Sequence, residues 1–138
     1  KVKVVLDTNV LISGLFFHGP PAAIVEAWRD GDIQFVLSSE IIDEYIKVSR
    51  ILADGFPVVE IRPILTMIIT RSEIIQATPF PYQVCEDPDD DKFLACAISS
   101  ESRIIISGDK HLLKLSGYRG IKILTPRAFI EQYLKRQP

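Results

Sequence analysis

Acidic residues stand at several points where short aliphatic runs of the chain end. Asp7 directly follows the run 2–6, and Asp109 follows Ser107-Gly108, which closes a second such run. The other acids to consider lie in or just before predicted helices: Glu44, Asp87, Asp89, Asp90 and Asp91. In open parallel sheets, chemistry gathers at the carboxyl ends of the strands. We therefore expect several of these carboxylates to meet at one edge of a sheet.

Helical spacing predicts that the Glu44 carboxylate points inward. Ile41 and Val48 flank it at three and four residues, so Glu44 shares an apolar helix face with them. Taken alone, each acid also has a simpler explanation. Asp7 and Asp109 could each cap a helix, and Glu44 could be a solvated helical residue. One explanation for all of them, a shared acidic site, is favoured because they lie at or just beyond strand ends on the same predicted edge of the sheet.

The same rule assigns different roles within the acidic run 87–91. Asp91 lies three residues before Leu94 and seven before Ile98, so it is predicted to share their buried face and to point toward Asp7. Asp89 and Asp90 fall in the first turn, where carboxylates cap free backbone N–H groups. Asp91 is therefore the predicted third member of the cluster.

Convergence of four carboxylates needs compensation. Two of them about 6 Å apart repel by roughly 3 kcal/mol at an effective dielectric constant of about 20. Such a cluster must take up protons or bind cations. Oxygen ligands suit Mg²⁺ or Mn²⁺ rather than zinc, and neither His18 nor His111 stands in a zinc-ligand spacing.

The elements that must position these acids alternate along the chain. β-Branched runs predict strands over 2–6, 33–37, 74–76, 103–106 and 121–124. Helices are predicted over 20–31, from Ser38-Ser39 to 54–55, over about 58–71, from Asp89 or Asp90 to Ser100, from Asp109, and from Pro126 to near Lys135. Pro63 must either kink the third helix or mark its first turn. This alternation predicts an α/β/α sandwich in one domain spanning 1–138, with a central parallel sheet of about five strands.

Composition narrows the class of protein. The 138 residues carry a formal net charge of −2, which excludes a strongly cationic nucleic-acid binder. Hydrophobic residues make up 47% of the chain, as in a globular domain, and no apolar stretch reaches the length of a membrane span. The two cysteines, Cys85 and Cys96, exclude a disulfide framework and favour a reducing, cytoplasmic location. Four cations close in sequence to the acids could line a strand-binding groove or be ordinary surface charges: Lys47, Arg50, Lys92 and Lys110.

Four segments of the chain together resemble the PIN domain family. They are Leu6-Asp7-Thr8-Asn9-Val10-Leu11, the stretch 39–45 that contains Glu44, the stretch 87–95 (Asp-Pro-Asp-Asp-Asp-Lys-Phe-Leu-Ala) and the stretch 107–113 (Ser-Gly-Asp-Lys-His-Leu-Leu). Asp-Thr-Asn alone is a weak signal, but the four segments in this order and spacing are specific. The resemblance spans nearly the whole chain. It is closest to the branch of toxin components of toxin–antitoxin systems, related to VapC toxins.

This resemblance implies a metal-dependent ribonuclease. By carry-over, the residues that hold Mg²⁺ or Mn²⁺ are Asp7, Glu44, Asp91 and Asp109. Asn9 and Ser107 match the polar positions that orient ligands or the attacking water. The acidic run is richer than the family needs, so Asp87, Asp89 and Asp90 stay open as further ligands or supporting groups. The implied partners are single-stranded RNA as substrate, a cognate antitoxin protein and a second copy of the chain, with no membrane partner.

Three other functions compete with this hypothesis. A phosphoacceptor receiver domain would need paired acids after the first strand and a Lys before the last Pro, whereas Asp7 has no acidic neighbour and Thr125 precedes Pro126. A non-catalytic PIN-like module would use the acids only to hold a structural ion, and would not need all four. A nuclease that acts in RNA processing or on DNA uses similar acids. The short chain, without extra segments to grip a duplex, favours single-stranded RNA.

Overall fold

A computed structural model describes residues 1–55 and 60–134 as a parallel sheet between helices. The strands are β1 (Val2–Leu6), β2 (Ile33–Leu37), β3 (Glu73–Ile74), β4 (Ile104–Ile106) and β5 (Lys122–Leu124). The helices are α1 (Thr8–Phe16), α2 (Pro20–Arg29), α3 (Ser39–Gly55), α4 (Arg62–Arg71), α5 (Asp91–Ser99), α6 (Lys110–Leu113) and α7 (Pro126–Phe129). A 3₁₀ turn, Pro88–Asp90, leads into α5, and a π-helical turn, Ile130–Leu134, extends α7. The predicted α/β/α sandwich with a five-stranded parallel sheet is confirmed.

The strand order β3-β2-β1-β4-β5 places β1 at the centre of the sheet. Every recorded pairing is parallel, so all five strands point their carboxyl ends to the same edge. Val4, Leu6 and Ile105 are fully buried because helices cover both faces of the sheet. This burial explains the nearly continuous aliphatic composition of β1, β2 and β4.

The predicted boundaries agree with the structure for most elements. The Ser38 hydroxyl accepts a hydrogen bond from the Ile41 N–H at 3.3 Å, as expected of the residue that caps α3. Pro63 lies in the first turn of α4, one of the two roles predicted for it. The predicted start of this helix at residue 58 and the predicted end of the last helix at Lys135 lie outside the described residues.

Helix α1 is the element that the sequence does not predict. Its β-branched residues, Asn9, Ser13 and Gly14 give it a low intrinsic helix propensity. The helix forms because α2 packs closely against it. An added Cβ at Gly14 would stand 2.6 Å from both the Pro21 carbonyl oxygen and Val25 Cγ2. Tertiary contact therefore outweighs local preference here.

That close approach predicts the effect of one substitution. We expect Gly14→Ala to lower the free energy of unfolding by at least about 1 kcal/mol, because a backbone atom of α2 would have to move. Gly108→Ala is the matched control, since nothing lies within 4 Å of its added Cβ, and it should change stability by less than about 0.5 kcal/mol. Urea denaturation of both variants measures the difference. Equal stabilities would contradict the packing of α1 on α2.

Among the described residues, no single helix is long and apolar enough to cross a membrane. Only when taken together do helices α1 and α2 have the length and apolar composition of a membrane span, and they are bent by 88° relative to each other.

Candidate active site

The carboxyl edge of the two central strands brings Asp7 beside Ser107. Leu6 of β1 pairs with Ile106 of β4, so the next residue of each strand leaves the sheet at the same level. The Ser107 hydroxyl donates a hydrogen bond to Asp7 Oδ2 at 2.6 Å and accepts one from the Asp109 N–H at 3.0 Å. Asp7 is only 6% exposed and Ser107 is fully buried. Ser107 therefore fixes the Asp7 carboxylate and links it to the loop that carries Asp109.

A cavity of about 540 Å³ opens at this edge of the sheet, and four aspartates line it. They are Asp7, Asp87, Asp90 and Asp109. Asn9 and Gly108 also line the cavity, and Asn9 is exposed. The predicted convergence of Asp7, Asp109 and Asn9 is what the structure shows, although the catalytic role of each stays a prediction.

Two carboxylates at this cavity, Asp7 and Asp90, have a raised pKa. Burial is the main reason why the pKa of Asp7 is raised, the hydrogen bond from Ser107 opposes the shift, and the charges of Glu44 and Asp109 add to it. The pKa of Asp90 is raised to about 7, first by burial and then by the negative charges of Asp7 and its other cavity neighbours. Like charges that disfavour each other's ionisation form a site that a divalent cation would stabilise.

These shifts predict how stability depends on pH. A carboxyl group with a raised folded-state pKa keeps its proton more firmly in the folded protein than in the unfolded chain. The contribution of Asp90 to the free energy of unfolding is therefore complete below about pH 4 and is lost as pH rises through about 7. Without divalent ions, the protein should therefore be less stable at pH 8 than at pH 5. Asp90→Asn should reduce this difference, and the exposed Asp89→Asn should not. Urea midpoints in EDTA at the two pH values test this, and equal differences in both variants would contradict it.

Asp91 does not point where its sequence position predicts. Its carboxylate turns back to the preceding loop and accepts hydrogen bonds from the Val84 N–H at 3.0 Å and the Cys85 N–H at 2.6 Å. Asp91 does not line the cavity that holds Asp7, whereas Asp90 does. The prediction that Asp91 faces Asp7 is therefore wrong as geometry. Asp91 instead anchors the 84–85 loop to the first turn of α5.

Asp90 is the N-cap residue of α5, one of the two predicted positions, but the prediction that its carboxylate caps backbone N–H groups is wrong. The carboxylate that caps this turn belongs to Asp87, whose Oδ1 accepts the Asp89 N–H at 3.0 Å. Asp90 stands at the N-terminus of α5 without a capping hydrogen bond from its side chain. Its carboxylate is therefore free of backbone partners at this turn and contributes to the acidic cavity.

Glu44 reaches the same region from α3, but its oxygens have other partners. Lys92 Nζ lies 2.7 Å from Glu44 Oε1, and the Thr8 hydroxyl donates a hydrogen bond to Oε2. The neighbouring Tyr45 is buried and donates its hydroxyl to the Leu6 carbonyl, which holds α3 against the end of β1. The prediction that Glu44 points inward agrees with this geometry. Its predicted role as a metal ligand stays a prediction.

The donor set fits a hard divalent ion by its chemistry. Asp7, Asp90 and Asp109 offer oxygen ligands around one cavity, and Asp87 stands beside them. Across residues 1–55 and 60–134, no three Asp, Glu, His or Cys side chains are already close enough to enclose an ion. His18 and His111 are exposed, and His111 Nδ1 lies 2.6 Å from a carboxylate oxygen of Glu86.

Three contributors to this site carry weak signals in the sequence. Thr8 is part of the Asp-Thr-Asn segment, but only the structure shows its hydroxyl on Glu44. In the sequence, Tyr45 looks like one more apolar residue at helical spacing from Ile41 in α3. The sequence predicts that Lys92 either lines a strand-binding groove or is an ordinary surface charge, whereas it forms an ion pair with Glu44. A cation that directly follows an acidic run at a helix start is the one signal that could have indicated this pairing.

Comparisons with known proteins agree with the geometry. A family model described as "PIN domain" matches residues 3–111. "Uncharacterized protein MJ1680" of Methanocaldococcus jannaschii is 33% identical over 150 aligned positions, which cover 98% of this chain and 94% of that protein. PIN domains are generally metal-dependent nucleases. From its sequence and from the edge of the sheet where its carboxylates gather, the chain belongs to the PIN domain family and has a nuclease-type fold.

Proposed function

We propose that this protein is a metal-dependent endoribonuclease that hydrolyses phosphodiester bonds of single-stranded RNA. The observation that carries the proposal is the cavity at the carboxyl edge of the sheet, which Asp7, Asp90 and Asp109 line together. The net charge of −2 disfavours unspecific binding to a nucleic-acid duplex. An open acidic cavity that becomes attractive to phosphate only when loaded with a cation suits a flexible single strand better.

The residues that would hold Mg²⁺ or Mn²⁺ are Asp7, Asp90 and Asp109, with Asp87 as an additional oxygen donor. When bound, such an ion lowers the pKa of water and neutralises charge that develops on the phosphate. Ser107 keeps the Asp7 carboxylate in one orientation through its 2.6 Å hydrogen bond. A carboxylate of the set that is not engaged by the ion can accept the proton of the attacking water. Asn9, exposed at the cavity, can donate its amide N–H to a phosphate oxygen.

A cleavage assay tests the proposal. We expect the protein to cut labelled single-stranded RNA internally with Mg²⁺ or Mn²⁺, to stop in EDTA, and to cut DNA of the same sequence far more slowly. Asp43→Asn is the control, because Asp43 is exposed on the far side of α3 and does not line the acidic cavity. Metal-independent cleavage would contradict the proposed chemistry. Metal binding without cleavage of either nucleic acid would favour a non-catalytic module.

We further propose that the protein acts in the cytoplasm as the toxin of a toxin–antitoxin system. The support is the resemblance of its four motif segments to the VapC-like branch of the family. A toxin of this kind has a cognate antitoxin protein as its partner and can form a homodimer. Induced expression should arrest growth, and Asp7→Asn should abolish the arrest at equal protein level. If the natural protein and the Asp7→Asn variant both arrest growth, toxicity does not depend on the nuclease site.

A further inference from the structure

Glu44 is held by two partners at once. Lys92 Nζ lies 2.7 Å from one carboxylate oxygen, and the Thr8 hydroxyl donates to the other. The Lys92 and Glu44 side chains are 21% and 22% exposed, so the pair is largely shielded from water. Removing one partner of a shielded ion pair with good geometry lowers the free energy of unfolding strongly, because the other charge is then left without compensation.

Lys92 stands where a cation is electrostatically disfavoured. It is the second residue of α5, and the positive end of a helix dipole repels a cation in the first turn. The neighbouring Asp91 does not compensate it, since the Asp91 carboxylate is directed to the backbone of the 84–85 loop. Glu44 therefore supplies the charge that holds Lys92 in place.

The ion pair stands directly beside the acidic cavity. Thr8, which donates to Glu44, follows Asp7 in the chain, and Tyr45, which follows Glu44, donates to the carbonyl of Leu6. Glu44 and Asp7 are thus fixed relative to each other from both sides. Asp90 and Asp109 line the cavity with Asp7, whereas Glu44 and Lys92 are not part of its lining.

We propose that Lys92 is a resident cation that keeps Glu44 out of the coordination sphere of the metal, so that the site binds one divalent ion. This inference rests on the proposed metal site. A pair of catalytic ions about 3.5–4 Å apart needs ligands that serve both ions. Asp7, Asp90 and Asp109 serve the first ion, and the oxygens of Glu44 that a second ion would need are bound to Lys92 and Thr8. Lys92 is in this sense a positioning residue rather than a catalytic one.

The number of Mn²⁺ ions bound per chain tests the inference without any use of RNA. Isothermal titration of the protein with Mn²⁺ should give one ion for the natural chain and two for Lys92→Met, because Glu44 is then free to bind metal. Lys92→Arg should keep one ion, since an arginine also pairs with Glu44. Lys47→Met removes an exposed lysine that is on α3 and should also keep one ion.

Glu44→Gln provides an independent measurement if Lys92→Met does not fold. Glu44 is not a metal ligand in this proposal. The Mn²⁺ affinity of the Glu44→Gln variant should therefore be lower than that of the natural chain by less than about a hundredfold, the range for groups outside the coordination sphere. A larger loss would overturn the inference, and so would two ions on the natural chain or one ion on folded Lys92→Met. No Mn²⁺ binding by the natural chain would overturn the proposed metal site itself, which distinguishes the two failures.

Discussion

Asp7→Asn should lower metal-dependent RNA cleavage by about a hundredfold or more, because it removes charge from the most buried carboxylate of the cavity. The fold should remain intact, since the Ser107 hydroxyl can donate to the asparagine oxygen as it does to the carboxylate. In EDTA at pH 8, stability should stay equal or rise, because one of several mutually repelling charges is gone. Single-turnover cleavage rates and urea midpoints measure the two effects.

Asp43→Asn is the control for this experiment. Asp43 precedes Glu44 in α3 but is exposed, so its replacement should change neither quantity appreciably. If Asp7→Asn keeps more than a tenth of the natural cleavage rate at saturating Mn²⁺, the proposal that Asp7 is a metal ligand is contradicted.

The second prediction separates two adjacent aspartates. Asp90→Asn should lower cleavage by about a hundredfold or more, because the Asp90 carboxylate lines the acidic cavity. Asp91→Asn should mainly lower the free energy of unfolding, by about 1–3 kcal/mol, because two backbone N–H groups lose a charged acceptor. The comparison of cleavage rates must therefore be made at a temperature where both variants are folded.

The opposite result would restore the interpretation based on helical spacing. A folded Asp91→Asn variant without activity, beside an active Asp90→Asn variant, would place the third ligand at Asp91. Asp89→Asn is the matched control within the same run, since Asp89 is exposed and lies outside the cavity lining. It should leave both activity and stability close to those of the natural chain.

The different outcomes for Asp91 and Glu44 show what a periodicity argument can predict. Glu44 lies in the interior of a 17-residue helix, where the angle between successive side chains is regular, and its inward direction agrees with the prediction. Asp91 is the first residue of α5, and a 3₁₀ turn with a different angle per residue precedes it. Its side chain can therefore turn back to the loop. Helical spacing therefore predicts side-chain direction least well in the first turn of a helix.

Strand ends were predictable for a different reason. The aliphatic runs of β1 and β4 must be buried on both faces, so Asp7 and Ser107 mark the points where the chain can leave the sheet. Their pairing depends on the strand order, which the sequence leaves open. Helix α1 could not be predicted because its stability comes from Gly14 packed against α2, a contact between elements. The Lys92–Glu44 pair likewise joins residues 48 positions apart.

The most direct test of the account is the position of a bound metal ion. An anomalous difference map from crystals grown with Mn²⁺ should show its peak in the cavity of about 540 Å³, within ligand distance of Asp7, Asp90 and Asp109. The Asp91 carboxylate should still accept the N–H groups of residues 84 and 85 in that crystal. A peak coordinated by Asp91, or no peak in the cavity at millimolar Mn²⁺, would contradict the account.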